Sequence, residues 1–373
     1  MSGTTGTTAP GSPTTLFEHA LWLHRRFPDE PLPRNGEPYP DETTYRSRPL
    51  TEPADRDKAE RDAAALVDAH FARDAAPPVE LAEVVHGLGI SHLPEDHIVA
   101  AAARAADREQ ARVTGRWLVR HGTDRAVVMI GLALLTASGT DDDIPLIRTI
   151  GLLSRGFGPW AARALEGLPG GVGALFWLAE RVTGWGRVHV VHALCGLDDP
   201  AIHPWLLRRA FDGDFLNAYF VDRFIEVARP HEVLDELDDD IGMVDHTGRL
   251  LYRMTVCSGM GMTLGHYPHA AAVLDAHSRR VGSLGPDLER YYMCALLAQH
   301  LTVASPEDVG CSTQQREEFR SRYLAVLDRD DWAGVARAGI AAEDYGMRWL
   351  ANHRDPRLRL RAFPDRVPPE PEA

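Results

Sequence analysis

Apolar residues recur at steps of three and four positions along most of the chain. From residue 55 onward this spacing predicts a nearly continuous series of helices, and no segment shows the alternation of apolar and polar residues that marks a strand. Apart from residues 184–212, we predict helices over residues 55–73, 78–88, 95–121, 124–137, 143–154, 159–167, 171–182, 215–228, 230–237, 248–261, 268–281, 286–303, 313–328, 331–342 and 344–353. The pattern therefore predicts an all-α fold.

Residues 184–212 carry the clearest repeat of this pattern. The apolar positions lie on both sides of a short turn and are Val188, Val191, Leu194, Leu197, Ile202, Leu206 and Ala210. Pro200 suits the first turn of a helix, and Asp199 before it can cap the exposed amides of that helix. Because a two-helix hairpin cannot bury its apolar face alone, the segment predicts stacked neighbours in an α-solenoid.

The same segment resembles the bacterial HEAT-like repeat of the PBS-lyase type, in which a short Asp-Pro turn joins two helices. The residues that carry the resemblance are Arg187, Ala193, Leu194, Asp198, Asp199, Pro200, Ile202, Leu206 and Asp212. The resemblance implies an irregular α-solenoid of helical hairpins. A fold of this kind does not by itself imply a function.

The composition changes towards both ends of the chain. Residues 1–15 are rich in Thr, Gly, Ser and Pro, and we predict that they are disordered. Residues 16–54 read as a short helix over 16–27 and a Pro-rich arm that can wrap across other helices. The predicted solenoid covers residues 55–360, with a candidate division into two lobes near 238–247, and residues 361–373 are predicted to be a disordered tail.

Charge and cysteine content restrict the classes of function. The formal net charge of −14 disfavours nucleic acid as a partner, since phosphate binding depends on clustered positive charge. The first residues lack the features of a secretion signal and no apolar run is long enough to span a bilayer, so we predict a cytoplasmic protein without membrane association.

The scattered cysteines predict buried free thiols rather than disulfides or a zinc site. These cysteines are Cys195, Cys257, Cys294 and Cys311.

Five arginines stand four residues apart along the helix predicted over 95–121. They are Arg104, Arg108, Arg112, Arg116 and Arg120, here called the arginine ladder. A row of guanidinium groups can bind phosphates or an acidic protein segment, because arginine makes bidentate contacts with both. The alternative is that these arginines pair with acids on neighbouring repeats, for example at 141–143. The ladder is the candidate binding site for an anion or a partner.

Other motifs carry weaker predictions. His189 with His192 and His266 with His269 could each contribute two metal ligands, but the sequence supplies no third ligand nearby, so we predict no metal and no cofactor. The glycine pairs 156/158 and 184/186 lack the context of phosphate loops and are interpreted as helix-breaking turns. The acidic stretch 229–245 is interpreted as a solvated loop.

Most of the tryptophans fall in or beside predicted helices. These are Trp117, Trp160, Trp177, Trp185, Trp205, Trp332 and Trp349. Their even distribution predicts a core between repeats, whereas several on one concave face would form a pocket for a planar ligand.

The leading functional hypothesis is a non-enzymatic α-solenoid that binds another protein, with charge complementarity from the arginine ladder. The alternative is a HEAT-like enzyme of one of two kinds. One is a nucleic-acid binder similar to the HEAT-like DNA glycosylases, and the other is a lyase-like or small-molecule tailoring protein with a Trp-lined cleft. Oligomeric state is left open.

Overall fold

The computed structural model describes residues 14–47, 53–94, 96–197, 199–238 and 240–363. Most of the two segments predicted to be disordered, together with Asp198 of the Asp-Pro turn, lies outside these residues. Throughout the described residues the secondary structure is helical and contains no strand. The prediction of an all-α fold is therefore confirmed.

The chain divides into two compact units, one up to Asp198 and one from Asp199 onward. This boundary falls in the Asp-Pro turn, so the two helices predicted within 184–212 belong to different units. The candidate division near 238–247 lies inside the second unit.

The first unit contains eleven α-helices among its described residues. They are α1 (Leu16–Arg26), α2 (Glu42–Arg46), α3 (Pro53–Phe71), α4 (Pro78–Val85), α5 (Asp96–Arg104), α6 (Arg108–His121), α7 (Arg125–Ser138), α8 (Ile144–Gly151), α9 (Ser154–Glu166), α10 (Gly171–Ala179) and α11 (Gly184–Gly196). Short 3₁₀ turns lie at Pro33–Gly36 and Asp141–Asp143.

The second unit contains nine α-helices in the part that the structure describes. They are α12 (His203–Arg209), α13 (Val221–Ala228), α14 (Ile241–Thr255), α15 (Ala270–Arg280), α16 (Leu288–Val303), α17 (Pro306–Val309), α18 (Thr313–Leu327), α19 (Asp330–Ala341) and α20 (Tyr345–His353). Short 3₁₀ turns occur at Pro200–Ile202, Phe215–Phe220, Pro230–Glu232, Leu234–Asp238, Leu264–His266 and Val281–Ser283.

Helix α7 forms the centre of the first unit. Residues 126–135 are all buried, and the helix packs against α5, α6 and α9. A helix that is apolar on every side must be enclosed by other helices. Helix α16 has a similar position in the second unit, where it packs against α14, α18 and α19.

An aromatic cluster fills the core of the second unit beside α12, α13 and α14. The ring of Phe211 lies 4.9 Å from the rings of both Phe220 and Phe224, and the imidazole of His246 lies 5.2 Å from it. His246 Nε2 accepts a hydrogen bond from the backbone N–H of Phe211 at 3.0 Å. The buried imidazole therefore has a partner within the cluster.

The helix predicted over 95–121 is two helices, α5 and α6. Asp107 ends the interruption between them, and its side chain accepts a hydrogen bond from the backbone N–H of Gln110. An N-cap aspartate starts a new helix by satisfying one of the free amides of the first turn. Arg104 consequently lies on α5, while the rest of the arginine ladder lies on α6.

The acidic stretch 229–245 also differs from its interpretation as a solvated loop. It contains two 3₁₀ turns and the first turn of α14, and Asp240 caps that helix at the backbone N–H of Met243. Three of its described carboxylates are paired with arginines: Glu232 with Arg229 at 3.4 Å, Asp240 with Arg208 at 2.6 Å and Asp245 with Arg290 at 2.6 Å.

Gly156, Gly158 and Gly186 lie inside helices, contrary to their interpretation as helix-breaking turns, whereas Gly184 stands at a helix boundary. Gly156 and Gly158 lie inside α9, and Gly184 begins α11 with a φ of +59° that glycine adopts without strain. A Cβ added to Gly186 would lie 2.2 Å from Cβ of Ser154. The glycines therefore let α9 and α11 approach each other closely.

The tryptophans are divided between core and surface. Trp160 and Trp332 are fully buried, as the core interpretation predicts, whereas Trp185 is 45 % exposed. Trp117, Trp177, Trp205 and Trp349 are half-buried.

The close contact of α9 and α11 can be tested with Gly186→Ala. The added methyl group must push the helices apart, so we expect the free energy of unfolding to fall by about 1–3 kcal/mol, measured by urea denaturation. The control is Gly173→Ala in α10, where an added Cβ meets nothing within 4 Å. That substitution should leave stability unchanged or raise it by up to about 1 kcal/mol. Equal stabilities for Gly186→Ala and wild type would contradict the role given to Gly186.

Candidate functional site

A cavity of about 800 Å³ lies within the first unit. Its walls come from the N-terminal segment 37–46, the loop 88–92, the first turn of α9 and the first two turns of α7 and α11. These five segments are distant in sequence and meet because α7, α9 and α11 pack side by side.

Tyr39 anchors the N-terminal segment to α9. Its buried hydroxyl donates a hydrogen bond to the backbone carbonyl of Leu153 at 3.1 Å and accepts one from the backbone N–H of Gly156 at 3.3 Å. Its ring stacks on Phe157 at 6.1 Å. Burial raises the pKa of Tyr39 above its ordinary value, so the hydroxyl keeps its proton and both hydrogen bonds.

Arg125 at the start of α7 holds the next part of the same segment. Its guanidinium pairs with Asp41 at 3.1 Å and with Glu42 at 2.8 Å, and it lies 3.5 Å from the centre of the Tyr45 ring. Arg46 also hydrogen-bonds Glu42, at 2.6 Å, and this contact, with the nearby charge of Arg125, holds the pKa of Glu42 below its ordinary value. The carboxylate therefore stays charged between two guanidinium groups.

Trp185 and His189 form the aromatic wall on α11. Their rings stack at 6.1 Å with an angle of 28° between the planes. Burial, together with smaller contributions from the nearby imidazoles of His92 and His192, lowers the pKa of His189 to about 4. Neither ring nitrogen of His189 has a hydrogen bond to another residue of the described chain. At neutral pH this imidazole is uncharged and offers one donor and one acceptor to the cavity.

Arg155 is the lining arginine whose guanidinium has the weakest contact with a carboxylate. Its side chain is 71 % exposed, and Nη1 lies 3.5 Å from Glu37. The lining contains three arginines (Arg46, Arg125 and Arg155) and two glutamates (Glu37 and Glu42). The cavity therefore has a net charge of 3 − 2 = +1 in a protein whose net charge is −14.

The arginine ladder lies outside this cavity, and its members have separate environments. Arg104 makes a bidentate contact with Asp68 at 2.6 and 3.1 Å, and Arg108 donates to the carbonyl of Ala137 at 2.7 Å. Arg112 pairs with Glu109 and donates to Thr140, while Arg116 pairs with the buried carboxylate of Asp143. Arg120 is exposed and contacts no acid among the described residues.

Arg104 pairs with Asp68 on α3 and Arg116 with Asp143 before α8, in line with the alternative of pairing with acids on neighbouring repeats, whereas Arg112 pairs with Glu109 on its own helix. The Asp143 pairing was among those that the sequence suggested. Pairing within the unit engages guanidinium groups that a partner would otherwise use. Binding of a partner by the ladder remains a prediction.

Neither the histidines nor the cysteines form a metal site in the part of the chain that is described. No group of three or more His, Cys, Asp or Glu side chains there could hold a metal ion. The four cysteines are free thiols. Cys195, Cys257 and Cys294 are buried as predicted, and Cys311 is half-buried.

The sequence pattern does not reveal the cavity. It marks Trp185 as one of the tryptophans that could line a cleft and His189 as one of a histidine pair, but it does not link them to Arg155 or to the N-terminal segment. A periodicity of about 3.6 residues shows which side of a single helix is apolar. It does not show which segments distant in sequence contact each other in the fold.

Comparison with known proteins found no match. No protein-family model matches the chain, and neither a curated protein nor a solved structure does. Separately, none of the described helices combines the length and the apolar character needed to cross a bilayer.

The low pKa of His189 predicts a loss of stability in acid. The unfolded chain takes up a proton near the ordinary pKa of 6.5, whereas the folded state does so only near pH 4. The unfolded state binds more protons between these values, so the free energy of unfolding should fall as the pH falls from about 7 to about 4. Urea denaturation at several pH values should show a shallower fall for His189→Gln than for wild type and for the control His192→Gln. Identical slopes for all three proteins would refute the assignment.

Arg116 and Arg120 should differ in their effect on stability. Arg116→Ala leaves the Asp143 carboxylate buried without its charged partner, so we expect a loss of about 2 kcal/mol or more in the free energy of unfolding. Arg120→Ala on the same helix should change it by less than about 0.5 kcal/mol. Thermal and urea denaturation measure both, and equal effects would show that the Asp143 pair does not stabilise the fold.

Proposed function

We propose that the first unit is a binding module that takes a small organic molecule into its cavity. The single observation that carries this proposal is the pairing of a half-exposed tryptophan, Trp185, with the uncharged and accessible imidazole of His189 in one cavity wall. An aromatic face beside a few fixed polar groups is typical of small-molecule sites.

The size of the cavity supports the same class of ligand. Sites for small molecules and cofactors span roughly 300–1,000 Å³, and this cavity measures about 800 Å³. The hydrogen bonds of Tyr39 and the ion pairs of Arg125 hold one wall in place. Such a preformed wall lowers the entropy lost when a ligand binds.

We further propose that the helices form an irregular HEAT-like α-solenoid with a Pro-rich N-terminal arm. In the first unit, α5, α7, α9 and α11 contact one another in succession, as do α4, α6, α8 and α10. Stacking of neighbouring hairpins in this manner supports the proposal. In it, the arm is residues 28–54, of which the described residues 37–46 supply one wall of the cavity. We place the protein in the cytoplasm, because free thiols are typical of reducing compartments.

A second candidate function is binding of another protein through the exposed side of α6. Two observations favour it: Val113 is 49 % exposed there, and the guanidinium of Arg120 has no acidic partner in the described chain. An apolar side chain beside a cation can meet a partner that carries an acidic group. Most of the ladder is paired within the unit, so we place this function second.

The cavity can be blocked with Gly89→Phe, which adds a ring at its wall. A thermal-shift screen of small aromatic and polar compounds should find ligands that stabilise the wild-type protein and do not stabilise this variant, because a ligand raises the stability of the state that it binds. The control is Gly173→Phe, which adds the same ring on the exposed side of α10. Ligands that stabilise wild type and both variants equally would bind elsewhere and would overturn the proposal. So would a broad screen without any ligand.

A further inference from the structure

We infer that the cavity selects a planar aromatic molecule with one negative charge, such as an aromatic carboxylate, with its ring on Trp185 and its acid group on Arg155. This inference rests on the proposed function and adds the chemical class of the ligand.

The aromatic half of the ligand site is the indole of Trp185. His189 stacks against this ring, Trp185 lines the cavity, and 45 % of the residue is exposed. Tryptophan offers a large flat surface, and stacked aromatic rings gain about 0.5–1.5 kcal/mol beyond the burial of their area. A planar ring in the cavity would cover this surface.

The anionic half of the site is the guanidinium of Arg155. Among the three lining arginines, Arg46 and Arg125 both contact the Glu42 carboxylate at hydrogen-bonding distance, at 2.6 and 2.8 Å. Arg155 approaches Glu37 only to 3.5 Å. Its donors are therefore the least engaged, and a carboxylate could accept two of them in a bidentate contact.

The contact between α9 and α11 brings the two halves together. Ser154 meets Gly186 there so closely that an added Cβ would lie 2.2 Å from the Ser154 Cβ. Arg155 follows Ser154, and Trp185 precedes Gly186. Since consecutive Cα atoms are about 3.8 Å apart, the backbones of residues 155 and 185 lie within about 12 Å of each other. A ligand of one or two rings can reach both side chains.

The charges of the lining limit the ligand to a single negative charge. A neutral ligand could accept a hydrogen bond from Arg155 but would gain less than an anion, because it forms no charged pair. A polyphosphate would face the carboxylates of Glu37 and Glu42. Arg125 is already paired with Asp41 and Glu42, so Arg155 is the cation that one acid group can complement. A monoanion satisfies Arg155 without bringing further negative charge near the glutamates.

The probes are 2-naphthoate and its neutral isostere 2-naphthamide, titrated by calorimetry into the full-length protein. Wild type should bind naphthoate at least about tenfold more tightly than naphthamide, because only the carboxylate forms a charged contact. Arg155→Gln should remove this preference and leave naphthamide binding unchanged. Trp185→Ala should weaken both probes by about tenfold, because both lose the stacked ring. Both side chains are well exposed, so the variants should fold, which circular dichroism checks.

Two matched controls lie away from the cavity. Arg163→Gln removes an arginine of the same helix that pairs with Glu166, and Trp22→Ala removes a tryptophan that is 56 % exposed. Both variants should bind the probes like wild type.

The results separate this inference from the proposed function. One outcome is that both probes bind with equal affinity, that Gly89→Phe abolishes this binding and that Arg155→Gln leaves it unchanged. This outcome would overturn the preference for an anion, while the cavity would still be a binding site. Absence of binding by either probe would overturn the ligand class, whereas the broader thermal-shift screen decides whether the cavity binds any ligand. Probe binding that persists in Gly89→Phe would place the probes elsewhere and refute the inference.

Discussion

The close contact between α9 and α11 is the constraint on which the cavity depends. Gly158 and Gly186 lie at this contact, and Ser154 occupies the space that a side chain at position 186 would need. The contact sets Trp185 and His189 on one side and Ser154 and Arg155 on the other. With a larger residue at 186 the helices would separate, because packed interiors have no room for an added methyl group without movement. Gly115 and Gly131 make a similar approach between α6 and α7.

The N-terminal segment completes the cavity with interactions of a different kind. Tyr39 is fixed by buried hydrogen bonds and by the stack with Phe157, and Arg125 is fixed by two carboxylates and an aromatic ring. The backbone of Leu153 and Gly156 satisfies the Tyr39 hydroxyl, and Asp41 and Glu42 satisfy the Arg125 guanidinium, so neither group is buried without a partner. A segment with little regular structure is in this way held against the helices. Its carboxylates also neutralise most of the positive charge that the arginines bring to the cavity.

The pairing of individual arginines with acids decides which of them can bind a ligand, and the net charge of the chain does not. The chain is strongly acidic, yet most of its described arginines pair with acids within their own unit, including Arg104, Arg112 and Arg116 of the ladder. Arg155 differs because its acidic neighbour is more distant. Its weakly engaged donors remain available to a ligand, whereas the donors of Arg104, Arg112 and Arg116 already bind acids within the unit.

The sequence by itself determined the all-α fold and most helices, because a helix needs only a local apolar period and local caps. Helices α7, α16, α18 and α20 begin and end within about two residues of their predicted bounds, a difference within the ordinary spread of helix assignments. Predictions from the local sequence were wrong where contacts between residues distant in sequence determine the structure. Glycines 156, 158, 184 and 186 were interpreted as breakers because glycine lowers helix propensity, but packing between α9 and α11 outweighs that cost. Only the tertiary structure brought Arg155, Trp185 and the N-terminal segment around one cavity, since their proximity depends on how helices distant in sequence pack.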